Sequence, residues 1–492
     1  MNKFFSMLKN RLKSAAALFA MTCAASLCFA QSPAATANSK TEQNRRYLEI
    51  INTLYYYIQN SYVEDVDPEV LYEGALKGML EALDDPYSVY MPKDEWRSLQ
   101  DTTKGSFGGV GLSITKPTEN TPEKPAYVEV AQPIEDSPGA RAGIQTGDLI
   151  IAINGTDTST ITMNDVLDRL RGNVGESVTV RIRRGKNMEF EKTLVRAIIE
   201  NPTVKYGMIG KSGYIKISEF SAKTAERVQD ALKSFGENGY TSLIIDLRNN
   251  GGGLLSAAVE IADKFIDSGV IVSTKSRIKG ENAVYSAHKY KTKVRDIPVV
   301  VLVNGASASA SEILAGALKD THTAYLVGEK TYGKGSVQIP SDLINNDGFK
   351  ITVARYYSPS DVNIDKIGIT PDEVVSYPQF TEEEEKAYTD LMNSSDLEDY
   401  VEAHPGMTEN QISAYADTLY TKYKLEKRVL RKLIRNQVER AKPARLYDLD
   451  YDLQLNEALK IVASSDFNAK LQSAKTLKEM QTEAPAEKTD AK

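Results

Sequence analysis

Four successive textures along the 492-residue chain predict a multidomain α+β protein. Apolar residues recur at spacings of three and four up to about residue 103. Short β-type runs broken by glycine fill 104–198, buried strands alternate with helices over 199–376, and charged helical sequence follows. This length holds about three domains of roughly 100 to 200 residues. A composition 41% hydrophobic and 26% charged fits a globular chain and excludes a collagenous, low-complexity or wholly disordered one. A formal charge of −7 speaks against bulk nucleic-acid binding. Three histidines and two cysteines cannot build a Cys-rich zinc module or a disulfide framework, and a His-based site must draw on His288, His322 or His404.

Residues 1–30 have the layout of a secretory signal. Lys3, Lys9, Arg11 and Lys13 precede an apolar stretch from Ala15 to Ala30, which ends in a small-x-small-like cleavage site, Cys28-Phe29-Ala30. Both cysteines, Cys23 and Cys28, lie there. Removing the segment's four basic residues takes the charge from −7 to −11. The alternative is an uncleaved anchor, although the run is shorter than the ~20 residues of a span. Neither cysteine follows Gly, Ala or Ser, which argues against lipid modification. The expected location is exported, periplasmic or cell-envelope, and membrane-associated if the segment stays.

Residues 31–45 are small and polar and read as a linker. The helical module 46–103 contains Leu48, Ile51, Tyr55, Ile58 and Tyr62 on one stripe. Asp67-Pro68, an N-cap and a first-turn proline, then starts a helix carrying Leu71, Ala75, Met79 and Leu83. Within 104–198 the runs GVGLSI, AYVEVA, DLIIAING and SVTVRIRR predict strands, with one helix near Met163 to Leu170. Within 199–376, SLIIDLR leads into a glycine loop and IPVVVLVNG into a helix. Residues 377–480 read as charged helices and 481–492 as a disordered tail.

Gly108-Gly109-Val110-Gly111-Leu112-Ser113-Ile114 sets glycines immediately before a strand. Such a loop can aim amides at an anion and present a strand edge to a peptide; alone it also fits an ordinary glycine turn. Downstream come Ser137-Pro138-Gly139-Ala140-Arg141-Ala142-Gly143, Gly147-Asp148-Leu149-Ile150 and Asn154-Gly155. Together these resemble the PDZ family. The resemblance implies a β-barrel-like domain that recognises a protein C-terminus. Gly111, Leu112 and Ser113 would hold the carboxylate, and Leu112, Ile114 and the 163–170 helix the last apolar side chain. Arg171 reads either as a link to the next domain or as a solvated arginine.

After the strand IPVVVLVN, the run Gly305 to Leu318 turns through very small residues into a helix, exposing a side chain beside unpaired helical amides. Ser309-Ala310-Ser311-Glu312 also satisfies a helix capping box, which needs no catalysis. A serine nucleophile needs a base. Lys334 lies between two glycines and begins an alternating run with Ser336 and Gln338. Gln338 falls about 13 Å along an extended strand from it, so contact would require a bend. A lysine base must lose about three units of pKa in a dry pocket, and the alternative is a surface lysine in a glycine turn.

The runs Asp246 to Gly253, Ser307 to Leu318, Gly328 to Gln338 and Gly368 to Asp372 follow one another downstream of the PDZ-like segment. In this order they resemble the C-terminal processing peptidases, the tail-specific serine proteases. The resemblance implies a serine protease core of crotonase/ClpP-like α/β type, with Ser309 as nucleophile, Lys334 as general base and Gln338 positioning it. The amides of Gly253 and Ala310 match the family's oxyanion donors. It also implies endopeptidase action on protein substrates with exposed apolar C-termini, with room for an adaptor protein and for homo-oligomers through the N- and C-terminal helices. No metal, organic cofactor or nucleic acid is implied.

Asp320 is eleven residues past Ser309, about 16 Å up a helix, and reads as structural. His322 follows it and His288 and His404 lie in unrelated stretches, so a Ser-His-Asp triad is disfavoured. Gly251 to Gly253 lack the Gly-Lys-Ser/Thr of a phosphate cradle. Residues 424–442 hold eight basic residues, with Leu425, Val429 and Leu433 beside Leu430, Ile434 and Val438; this reads as a packing or dimer helix in preference to a membrane-surface one. The Glu382 to Glu385 run reads as solvated. Two rival functions remain: a non-catalytic PDZ peptide-binding scaffold, and a ligand carrier on the same core.

Overall fold

A computed structural model describes residues 33–121, 125–186, 188–440, 442 and 445–483. The segment read as an export signal and residues 484–492 of the tail lie outside the described residues, while 481–483 of that tail complete the helix Leu477–Glu483. The chain divides into two compact units, 1–82 and 83–492.

The first unit contains helices Pro33–Ser61 and Pro68–Glu81. The polar stretch read as a linker is helical from Pro33, since Ala, Glu, Gln and Arg are adequate helix formers even without an apolar face. Asp67 caps the second helix as expected, accepting the Glu69 amide ahead of a first-turn Pro68. The apolar stripe read from the sequence is not buried: Leu48, Ile51 and Tyr62 are exposed, and Tyr55 and Ile58 are half-buried.

The second unit begins before the β-type runs do. Strand Val89–Met91 pairs with Gly348–Tyr357, and helix Lys93–Lys104 buries Trp96 against Gly348, where a Cβ would fall 2.3 Å from the indole. The Trp96 Nε1–H donates to Asp342 at 2.9 Å. Residues 83–103, read from the sequence as part of the helical module, therefore pack within this unit.

Five strands, Leu112–Thr115, Val128–Pro133, Leu149–Ile153, Ser177–Arg184 and Met188–Val195, form an antiparallel sheet in that order, with Thr156–Asp157 paired to the third. Alternation turns Val128, Val130, Val178, Val180 and Ile182 inward, and a register shift between Ile150 and Ala152 lets Ile150 and Ile153 join them; all are buried together with Val166 and Leu170 of the helix Met163–Leu170.

The largest layer is a six-stranded sheet ordered Val204–Ile209, Ser212–Ile217, Ser242–Asp246, Val299–Val303, Tyr325–Gly328 and Glu373–Val374. The first pair is antiparallel and the others parallel. Helices cover both faces, which is why SLIID and VVVLV are apolar without alternation. Leu243, Ile245, Val299, Val301 and Val303 pack on one side with the helices Thr224–Glu237, Leu255–Ala262 and Ala310–Asp320. Ile244, Val300, Leu302 and Val327 pack on the other with the helices Leu453–Val462 and Phe467–Ser473. An antiparallel sheet built on Gly348–Tyr357 and containing Val270–Ser276, Ala283–Ser286 and Ser336–Asp342 stands beside it.

Arg248 fastens the C-terminal helices to the strand ends. Its guanidinium donates to Asp246, Asp452 and Gln454, while Tyr214 donates to Asp246 at 2.6 Å. Burial opposes the charge on Asp452, but Arg248 outweighs it and holds the carboxyl below its ordinary value. A depressed carboxyl stabilises the fold above its unfolded pKa and loses that contribution as pH falls through the lowered value. Arg248→Leu is expected to cost about 3–5 kcal/mol, because two buried carboxylates lose their counter-charge. Denaturant unfolding at pH 7 measures it, and the difference from wild type should shrink below about pH 4.

The charged sequence 377–480 is helical as expected. Helices Glu382–Met392, Asp396–Ala403, Glu409–Tyr423 and Lys427–Val438 share one apolar core. The basic helix packs inward through Leu430 and Ile434, and its nearly buried Arg435 is neutralised by Glu409, Asp448 and Asp450. Among the described residues no helix is long and apolar enough to cross a membrane.

Candidate active site

Three adjacent parallel strands, Ser242–Asp246, Val299–Val303 and Tyr325–Gly328, each release a loop at the carboxyl end, where open α/β sheets place their sites. The first loop carries Gly251 to Gly253, the second Ser309 and the third Lys334.

Of the three serines at the turn from the second loop into helix Ala310–Asp320, Ser307 and Ser311 are fully buried. Their hydroxyls donate to the carbonyls of Leu247 at 2.8 Å and Asn250 at 2.9 Å. Ser309 alone of the three lines the cleft. It precedes helix Ala310–Asp320 with φ +55°, a left-handed backbone that costs a non-glycine residue on the order of 1–3 kcal/mol and occurs where a surrounding structure imposes it. Here the imposing group is Glu312.

The Glu312 carboxylate is 1% exposed and accepts four hydrogen bonds. One oxygen takes the Thr331 hydroxyl at 2.6 Å and the Gly333 amide at 2.7 Å; the other takes the amides of Ser309 at 2.8 Å and Lys334 at 2.9 Å. One side chain thus ties the serine turn to the lysine turn. Burial raises the Glu312 carboxyl above its ordinary value, and the four donors offset only part of that rise. The capping box seen in the sequence is present, but the larger task of Glu312 is to join two loops.

Lys334 lines the same cleft, of about 620 Å³, as Ser309, Gly253 and Gln338. Burial chiefly holds its amine below the ordinary lysine value. The ring of Tyr87 covers the ammonium, with its centroid 4.6 Å from Nζ. The Tyr356 hydroxyl donates to the carbonyl oxygens of Lys334 at 2.5 Å and of Ser309 at 3.3 Å. Tyr87 is itself fixed by Asp85, whose carboxylate accepts its amide at 3.1 Å and the Ser88 hydroxyl at 2.6 Å.

Gly252 approaches the serine turn, and Gly253 the backbone of Phe220, too closely for side chains. At φ +105° and +134°, added Cβ atoms would lie 2.7 Å from the Ala308 carbonyl oxygen and 2.2 Å from the Phe220 carbonyl oxygen, respectively. Phe220 bridges to Gly253 as a strand neighbour, leaving the Gly253 amide on the opposite side. Ala310 is the first residue of its helix, where amides lack intrahelical partners. Among the described residues neither amide donates to a backbone carbonyl.

Gln338 lies in the cleft beyond a register shift between Val337 and Gln338. Its amide nitrogen donates to Ser336 Oγ at 2.9 Å and Thr352 Oγ1 at 3.0 Å, and no hydrogen bond to Lys334 is formed among the described residues. Asp320 accepts from Ser360 and the Leu477 amide, His322 contacts the Leu471 carbonyl and His288 contacts Asp263. His404 contacts the Tyr400 carbonyl. None of the four lines the cleft, as the sequence led us to expect.

In the smaller sheet, Gly111 adopts φ +71°, and a Cβ there would meet Ser137 at 2.1 Å. Its carbonyl accepts the Ile134 amide and the Ser137 hydroxyl, both at 2.9 Å. Strand Leu112–Thr115 is at the end of the strand order; Leu112 and Ile114 are half-buried and Ser113 is exposed. Arg171 is no free surface arginine. It pairs with Asp101 at 2.6 Å and lies 4.7 Å from the Phe107 ring, so it links to the preceding helix.

Glu312 was legible only as a cap, while Asp85, Tyr87 and Tyr356 carried no sequence signal; long-range packing alone brings them to Lys334.

Comparison with known proteins agrees with this geometry. Family models match for peptidase family S41 over residues 211–375, for a PDZ domain over 129–184 and for the activating protease CtpB N-terminal domain over 13–95. The carboxy-terminal-processing protease of Bartonella bacilliformis is 37% identical over 374 residues, covering 75% of this chain and 84% of that protein. The carboxyl-terminal-processing protease of Synechocystis sp. is 40% identical, covering 62% and 71%. That of Picosynechococcus sp. is 39% identical, covering 69% and 80%. The chain belongs to the carboxyl-terminal-processing proteases, serine-type peptidases of family S41 that carry a PDZ domain.

Proposed function

We propose that the protein is an exported endopeptidase that captures the C-terminal tail of protein substrates on its PDZ domain and cleaves by a Ser309/Lys334 dyad. Ser309 Oγ attacks the scissile carbonyl while the Lys334 amine accepts its proton. The amides of Gly253 and Ala310 receive the developing oxyanion. The tetrahedral intermediate collapses to an acyl-enzyme as Lys334 delivers the proton to the leaving amine. Water, deprotonated by the same amine, then releases the acyl group. Gln338, anchored to Thr352, shapes the wall beside Lys334.

The observation that carries this reading is one cleft holding an outward-facing serine at φ +55° and a covered lysine whose amine is depressed by burial. A fluorophosphonate probe with mass-spectrometric mapping tests it. Stoichiometric modification at Ser309 of the wild type, and none in Ser309→Ala, is expected; modification of another residue overturns the assignment.

The free edge of Leu112–Thr115 supports strand addition by the substrate tail, with its carboxylate at Gly111, Leu112 and Ser113. Gly111→Val would force a side chain into Ser137 at a left-handed φ. We expect it to weaken binding of an apolar C-terminal peptide more than tenfold by calorimetry. Export rests on the signal-like first thirty residues. The exposed Leu48, Ile51 and Leu54 support the oligomer read from the helices, and sedimentation of the full chain decides it.

A further inference from the structure

We propose that Lys350 is a positioning residue for the dyad: its charge, standing in the same cleft, keeps Lys334 in the proton-accepting form. The inference rests on the Ser309/Lys334 reading above.

Lys350 sits on strand Gly348–Tyr357 between two partners, opposite Val89 on one side and Pro340 on the other, so its backbone is held on both edges. Strand alternation puts Lys350, Thr352, Ala354 and Tyr356 on one face. That face belongs to the site. Lys350, Ala354 and Tyr356 line the cleft with Ser309 and Lys334, and Thr352 receives the amide of Gln338. Although the chain is acidic overall, Lys350 forms no ion pair among the described residues. A half-buried cation without an ion-pair partner, lining the same cleft as the proposed catalytic amine, needs an explanation.

The surrounding charges supply one. Lys334 is faced by Asp85 and Tyr87 from the turn before Val89, by Glu312 from the helix Ala310–Asp320, and by Lys350 and Tyr356 from the strand; Tyr332 and Asp365 flank Tyr87. Burial opposes the charge on Asp85, but the hydrogen bonds it accepts outweigh that and lower its pKa, whereas burial leaves the Glu312 carboxyl raised despite the four donors around it; the negative charge of either favours the ammonium form of Lys334. Were Lys334 the sole cation between two carboxylates, burial alone would oppose their pull, and at a given pH a smaller fraction of it could take the serine proton. Lys350 balances those carboxylates, and its repulsion acts with burial to depress the Lys334 amine.

The test is the pH dependence of kcat/KM for Lys350→Met, Lys350→Arg and the wild type on one peptide. The acidic limb reports deprotonation of Lys334, so loss of the neighbouring charge must move it to higher pH. We expect Lys350→Met to shift the limb up by about half to one unit, a three- to tenfold loss at a pH on the limb, with Lys350→Arg restoring it. A fall in rate with an unmoved limb shows a structural role and overturns the proposal. So does a KM change confined to substrates with acidic side chains, which would make Lys350 a substrate contact. Retained turnover in Lys334→Met would instead sink the dyad reading itself.

Discussion

Lys334→Met is expected to lower kcat/KM by about 10³- to 10⁴-fold while leaving the fold in place. The contacts that hold this residue are made by its backbone: its amide donates to Glu312 and its carbonyl accepts from Tyr356. Methionine keeps the stem under the Tyr87 ring and removes only the amine. Lys334→Arg should be as inactive, because guanidinium does not give up its proton at neutral pH. In the wild type the amine lies below its ordinary value, so the rate rises with pH through that lowered pKa. Parallel thermal unfolding separates the two causes of inactivity. An unchanged midpoint with lost turnover is the expected result, and near-wild-type turnover would remove Lys334 from the chemistry.

Glu312→Gln is the second large effect, and it acts through geometry. The four groups around this carboxylate all donate, so the site offers hydrogen atoms to both oxygens. Glutamine replaces one oxygen with an NH₂ that must face two donors, either Thr331 and Gly333 or Ser309 and Lys334. A loss of about 2–4 kcal/mol in stability is expected, from two charge-assisted hydrogen bonds broken in a buried place. Activity should fall about 10²-fold or more, since the serine and lysine turns then lose their common anchor and small misplacements of reacting groups are costly. Glu312→Asp, one methylene shorter, should recover neither. Denaturant titration and steady-state kinetics on the same samples measure both, and a variant that is destabilised but fully active would limit Glu312 to a helix cap.

What the sequence revealed and what it hid divide along a physical line. Strands such as VVVLV, the helix after Ser309 and the glycine-bounded Lys334 are local patterns, set by burial period and backbone freedom, and all appear where expected. Side chains whose meaning depends on a distant partner stayed hidden. Lys350 is an unremarkable strand lysine until the fold brings it into the same cleft as Lys334. Glu312 reads as a cap because three residues separate it from Ser309, whereas its bonds to Thr331 and Gly333 span 19 and 21 residues. Gln338 was expected to need a bend to reach Lys334; the register shift is there, but its amide is turned to Thr352 on the neighbouring strand. The stripe on the first helix shows the converse. Periodicity forecast a helix correctly and could not say that its apolar face would be exposed.

The chain contains a single tryptophan, and that residue is Trp96, pressed on Gly348 with its indole bonded to Asp342. Gly348 begins the strand that carries Lys350 and Thr352, and Asp342 ends the one that carries Gln338. The protein therefore contains its own optical probe at the foot of the catalytic wall. Its emission should be blue-shifted at rest and move to longer wavelength if helix Lys93–Lys104 lifts from these strands, allowing that motion to be timed against substrate turnover without an attached label.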